Sequence, residues 1–276
     1  MTRRQRMVAI AGAALVGFGG LAVVVLPHRG GKEAASTGRA TATSTAGGGT
    51  GKTAGTTGTT PTTQPGSKAA EPPAWQPPKA GTYRYHFTRT GWQPADYDAD
   101  DVIAAAGKSG FTESRDHKSA LYIHTYAQRG QTVQETAFVL DSGTGRSECR
   151  WNSPFIVLPL RAKEGQTWSS KATCTMLVDK TSAAVEFESA ARIVGVRTGK
   201  AGDTETPLLR IDRQVVLKTT ANGQTAVRRS AFIDYYDTAR GLLVQSTEDA
   251  TETGPSGTTT YRIVEAMLTL QPEAKR

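Results

Sequence analysis

The stretch AGGGTGKT, residues 46–53, is the loosest form of a phosphate-binding loop, G-x-x-x-x-G-K-T with Ala46 in place of the first glycine. Such a loop works because a buried strand feeds it and a helix leaves it, so that backbone N–H groups and a helix N-terminus converge on the anion. Here ATATST precedes it and AGTTGTTPTT follows. Neither is a buried strand or an amphipathic helix, and no nucleotide site is expected. A second candidate is DYDADD, residues 96–101, which places Asp96, Asp98 and Asp100 at the first, third and fifth positions of a calcium loop. Asp101 then stands where glycine must turn the chain, and Gly107 where a bidentate glutamate belongs. The acids read better as the solvated start of a helix over residues 98–108, DADDVIAAAGK.

Catalytic groups are sparse. The histidines beyond the first 80 residues are His86, His117 and His124, and the chain contains no G-x-S-x-G elbow, no H-E-x-x-H and no paired Cys-x-x-Cys. No catalytic, cofactor or metal residue is assigned on this reading. Cys149 and Cys174 are the only cysteines, and in an exported domain an isolated pair predicts a disulfide. Between them runs CRWNSPFIVLPLRAKEGQTWSSKATC, read as an irregular, strongly apolar segment. Trp151, Phe155, Val157, Leu158 and Trp168 are its candidate contacts, either as a flap over an apolar groove or as a cap on the core.

The export itself follows from the N-terminus. Arg3, Arg4 and Arg6 precede the uncharged run MVAIAGAALVGFGGLAVVVL, and twenty residues at about 1.5 Å each cover the roughly 30 Å of a hydrocarbon core. With the positive charge before the run, the expected order is a cytoplasmic stub at 1–6, a signal-anchor at 7–27 and everything after it outside the cytoplasm. The rival reading is a cleaved signal peptide, for which the apolar run is unusually long and the nearest small-x-small site, Ala34 with Ser36, lies well beyond Leu26. Residues 1–80 hold nine Lys/Arg against two Asp/Glu, +7 of the +8 net charge, which leaves 24 against 23 for the remainder. The body of the protein is therefore nearly neutral, and nucleic-acid binding loses its support.

From Ser36 to Ser67 there are twelve threonines and no apolar side chain larger than alanine. Such a tract cannot offset its ordering entropy by burial. Residues 28–80 are accordingly read as a disordered Thr/Gly/Pro-rich linker, stiffened at its end by EPPAWQPPKAG. From Gly81 the pattern alternates with period two. GTYRYHFT is one strand. Strands near 119–128 and 132–140 form a hairpin about RGQ, and Asn222-Gly223 marks another tight turn. Nine or ten strands and little helix predict a mainly β domain over residues 81–272, a single strongly curved antiparallel sheet, with a short tail at 273–276.

At SAFIDYYDTARGLLVQSTE the residues Tyr235, Tyr236, Asp237, Gly241 and Leu242 resemble the penultimate hairpin of the lipoprotein-carrier-like half-barrels, which include lipid carriers and envelope stress sensors. The pattern Cys149, Trp151, Pro154, Gly165, Trp168, Cys174 is similar to membrane-anchored proteins of high-GC Gram-positive bacteria. The resemblance implies a half-barrel with an apolar concave face, and as partners a membrane, a lipid or other apolar ligand, or an envelope protein. A purely structural interaction head and an extracytoplasmic hydrolase are the competing readings.

Overall fold

The computed structural model describes residues 74–118, 120–142, 145–178 and 181–272. The expected stub, anchor, linker residues 28–73 and tail lie outside the described residues. Twelve strands follow one another: β1 Gly81–Gly91, β2 Ala95–Ala105, β3 Gly110–Asp116, β4 Leu121–Arg129, β5 Thr132–Asp141, β6 Arg146–Pro159, β7 Thr167–Val178, β8 Thr181–Ala201, β9 Thr204–Ala221, β10 Gln224–Asp237, β11 Leu242–Gly254 and β12 Gly257–Met267. Among the described residues there is no helix. All twelve strands lie in one antiparallel sheet, with β1 paired to β12 and with β6 and β7 at its two ends.

The period-two pattern explains the elements. In β1, Tyr83, Tyr85, Phe87 and Arg89 are buried, while Arg84 and Thr90 are exposed between and beyond them. A register that pairs Tyr85 with Met267 and with Ala99 carries the same inward face across the sheet. Tight turns fall where the backbone demands them: Asn222 and Gly223 both take positive φ, 52° and 73°, as a two-residue hairpin of this hand requires.

Two expectations need correcting. Residues 98–108 do not form a helix; most of them belong to β2. The reason is a cross-strand match: Asp96, Asp98 and Asp100 share the outer face, where Asp98 and Asp96 approach His86 and Asp98 and Asp100 approach Arg84. The segment between the cysteines is not irregular either, since β6 and β7 occupy most of it. The single, strongly curved antiparallel sheet expected from the sequence is present, and its end strands meet so that it nearly closes into a barrel.

No backbone ladder pairs β6 with β7 among the described residues. The Cys149–Cys174 disulfide, with its Cα atoms 5.6 Å apart, and side-chain bonds take its place. Ile156 N–H donates to Ser170 Oγ at 3.0 Å, Thr173 N–H to Asn152 Oδ1 at 2.9 Å and Trp168 Nε1 to the Ile156 carbonyl at 3.3 Å. The Ser147 hydroxyl donates to the Leu177 carbonyl. Behind this seam Phe155 stacks on Phe187 at 4.2 Å, and Trp151 packs against both.

Candidate functional site

The barrel interior is filled by side chains, many of them charged. Among the described residues four arginines, Arg89, Arg115, Arg213 and Arg228, are buried, and the last three are ion-paired within the interior. Arg115 binds Asp101 through Nε at 3.2 Å, and its other nitrogens reach Glu113 and Glu265. Arg213 pairs with Asp234 at 2.8 Å, and Arg228 with Glu248. Three carboxyls around one guanidinium cannot all ionise in a buried site. Burial, then the adjacent Glu113 charge, raises Asp101 well above the usual carboxylate range. Burial also pushes Glu113 up, but Arg115 and a hydrogen bond with Asp101 outweigh it and hold that carboxyl at about 2. Burial lifts Glu265 to about 7 against the pull of Arg115.

The histidines are absorbed into this packing. His124 is 2% exposed and meets Glu135 at 3.2 Å, and Glu135 also accepts from Trp151 Nε1 at 3.0 Å. His117 bonds the Tyr97 hydroxyl at 2.9 Å, and burial followed by the Arg115 charge depresses its pKa to about 3. His86 is on the outer face with Asp98.

One end of the barrel differs in chemistry. It gathers the β2–β3, β4–β5, β8–β9 and β10–β11 turns, the crossing from β6 to β7, and both ends of the described chain. Residues 74–80 run across it as a strap. Trp75 N–H donates to the Leu160 carbonyl and Gln76 N–H to the Thr238 carbonyl, both at 2.9 Å. On the C-terminal side Leu268 N–H donates to the Arg84 carbonyl at 2.8 Å, and Leu270 is buried. The β10–β11 turn is shaped for the strap. Asp237 accepts from Arg240 N–H and Thr206 Oγ1, both at 3.1 Å. Gly241 takes a φ of 68°, and a β-carbon there would lie 2.0 Å from the Gln76 carbonyl oxygen. Glycine is required on both counts.

Below the strap lies a cavity of about 20 Å³ lined by Trp75, Tyr85, Ile103, Phe111, Glu113, Tyr126, Val133, Val157, Leu158, Tyr236, Gly241, Leu242 and Leu243. That volume holds a water molecule and no acyl chain. Its walls are apolar and aromatic. Trp75 stacks on Phe111 at 6.1 Å and Phe111 on Tyr126 at 4.7 Å, with interplanar angles of 29° and 27°. Two of the hydroxyls on these walls are hydrogen-bonded: that of Tyr126 donates to Glu113 at 3.1 Å and that of Tyr85 to the Leu243 carbonyl at 2.9 Å.

The five aromatic and aliphatic residues expected between the cysteines divide. Val157 and Leu158 reach the cavity wall. Trp151 and Phe155 are buried behind the seam, and Trp168 packs there half-buried. Sequence reasoning missed Trp75, Phe111, Tyr126, Tyr236 and Leu243. The available signal was Trp75 itself, one large aromatic inside a proline run with no other large apolar neighbour.

No family model matches the sequence, and no curated protein matches it either. Among solved structures, the hypothetical lipoprotein YmcC from Escherichia coli (K12) aligns with 70% of this chain and 90% of its own, at 13% identity and a TM-score of 0.34. A likeness that weak carries no argument, so the barrel stands on its own strand order. Nothing in these comparisons supports the similarity to high-GC Gram-positive proteins.

Proposed function

We propose that this chain is a non-catalytic β-barrel, displayed outside the cytoplasm by the anchor at residues 7–27, that binds an apolar group at the strap-covered end. The observation that carries this reading is chemical contrast. The interior is crossed by buried ion pairs, whereas the strap end is a mostly aromatic and aliphatic pocket that meets those pairs at Glu113 and in which the Tyr126 and Tyr85 hydroxyls are already hydrogen-bonded. Buried, mutually bonded His124 and Glu135 have the arrangement of a structural pair, which supports the non-catalytic side. The filled interior disfavours a whole lipid inside the barrel and confines the ligand to the mouth.

The test is photolabelling of the full-length protein in membranes with a diazirine-bearing fatty alcohol, followed by mapping of the adducts. Adducts concentrated on Phe111, Val157, Leu158 and Leu243 are the expected outcome. Labelling spread evenly over the outer face of the sheet would reject the reading. A second reading, a rigid head that presents its turns to another envelope protein, is favoured by the solid packing itself. It predicts membrane crosslinks from the turns and none from the mouth.

A further inference from the structure

We infer that Trp75 is the resident occupant of a site for a planar, uncharged apolar group of one or two fused rings, which enters when the strap at residues 74–80 lifts. The inference rests on the mouth being the binding face and adds the ligand class and the means of control.

The class follows from what the indole touches. Trp75, Phe111 and Tyr126 form a nearly parallel stack, so withdrawing the indole leaves an aromatic platform rather than an irregular void. Withdrawing the indole enlarges the existing cavity of about 20 Å³ by the room of a two-ring group, and apolar cavities of ~150 Å³ are known to admit benzene. The Glu113 carboxylate borders the cavity and is already bonded by Tyr126 and Arg115. An anionic guest would meet that charge, and a cationic one would be stripped of water and compete with Arg115 for the same carboxylate, so a neutral guest fits best.

Control follows from how the strap is held. Its N–H bonds to the barrel are those of Trp75 and Gln76, because Pro77 and Pro78 have no N–H to offer. Other support is a bond from Tyr83 Oη to the Lys79 carbonyl at 3.0 Å and the indole itself. While the indole is seated, the apparent affinity for a guest is reduced by the fraction of molecules with the strap open.

The probe is 5-fluoroindole, followed by fluorine NMR on the full-length protein in nanodiscs, where partition into lipid is common to every variant. Trp75→Ala is expected to bind it about tenfold or more tightly than the wild type, with a bound resonance that moves when Phe111→Leu is added. Gly241→Ala keeps every wall side chain and pushes on the Gln76 carbonyl. It is expected to speed amide exchange at Trp75 and Gln76 and to raise the affinity as well, and it decides the matter if Trp75→Ala does not fold. A folded Trp75→Ala protein with wild-type affinity would overturn the inference. So would a Gly241→Ala protein whose strap exchanges faster without binding more probe. If the wild type collects no fatty-alcohol label at the mouth while Trp75→Ala takes up fluoroindole, the strap mechanism stands and the lipidic reading of the function fails.

Discussion

The barrel is closed twice, at its side by the β6–β7 seam and at its end by the strap, and the two closures are built from opposite materials. The seam joins strand to strand through a disulfide, several side-chain to backbone bonds and the Trp151, Phe155 and Phe187 cluster. The strap is held by two backbone N–H bonds to the barrel, a bond from the Tyr83 hydroxyl to the Lys79 carbonyl and one seated indole. A closure that distributes its contacts over a dozen residues opens only with the whole fold. One that depends on a single side chain and a proline-flanked segment opens locally, at the low-stability end of the native ensemble. The contrast separates what holds the barrel together from what controls access to it.

The sharpest way to break the comparison is to truncate one ring in each closure. Phe155→Ala, at 1% exposure and stacked on Phe187, is expected to cost about 4 kcal/mol in denaturant unfolding. Trp75→Ala, at the bottom of the scale, is expected to cost less than about 2 kcal/mol, because the strap and solvent can relax into the space. Equal losses would show that the strap is as integral as the seam. Between these extremes, removing the disulfide with the Cys149→Ala and Cys174→Ala pair should cost roughly 3 kcal/mol in the chain-entropy account of its 25-residue separation. Thermal melts with and without reductant check this, and a wild-type midpoint indifferent to reductant would show that the aromatic cluster alone holds the seam.

A further measurement sharpens the picture of the interior. Burial raises the Glu265 carboxyl from 4.5 to about 7, so the folded state binds its proton more tightly than the unfolded chain does. The resulting stabilisation is complete below pH 4.5 and is lost as pH rises through about 7. Its size is roughly 3 kcal/mol for this group. His117, depressed from 6.5 to about 3, acts with the opposite sign over part of that window. The Glu265 contribution is therefore read from urea melts as the wild-type minus Glu265→Gln difference, which should shrink as pH rises through about 7. Asp101, Glu135, Asp234 and Glu252 are also raised by burial and contribute with the same sign. Glu113, held at about 2, acts oppositely, and its contribution is lost only as pH falls from 4.5 toward that value.

Much of the sheet was legible before any coordinates. Alternating Tyr83, Tyr85 and Phe87 predicted β1, and the RGQ and Asn222-Gly223 turns placed two hairpins, because the side-chain period of a strand and the φ demands of a tight turn are local properties. The reading failed at residues 98–108, where leading acids and trailing alanines favour a helix locally. The neighbouring strand supplied His86 and Arg84 to the acids and overrode that preference. It failed also between the cysteines, where apolar residues on both faces hid the alternation of β6.

By itself, then, the sequence determined a mainly β body, a long tract before it without core-forming residues, a cysteine pair suited to a disulfide and a charge excess kept away from the body. Each of these depends on composition or on residues within a few positions of one another. Only the tertiary structure decided that the sheet nearly closes, that Arg115 gathers three carboxyls from β2, β3 and β12, and that Trp75 seats itself on Phe111. Apart from Glu113, two positions from Arg115, those outcomes join groups separated by 14 to 150 positions, and what selects them is the need to cover apolar surface and pair buried charge wherever in the chain the partner lies.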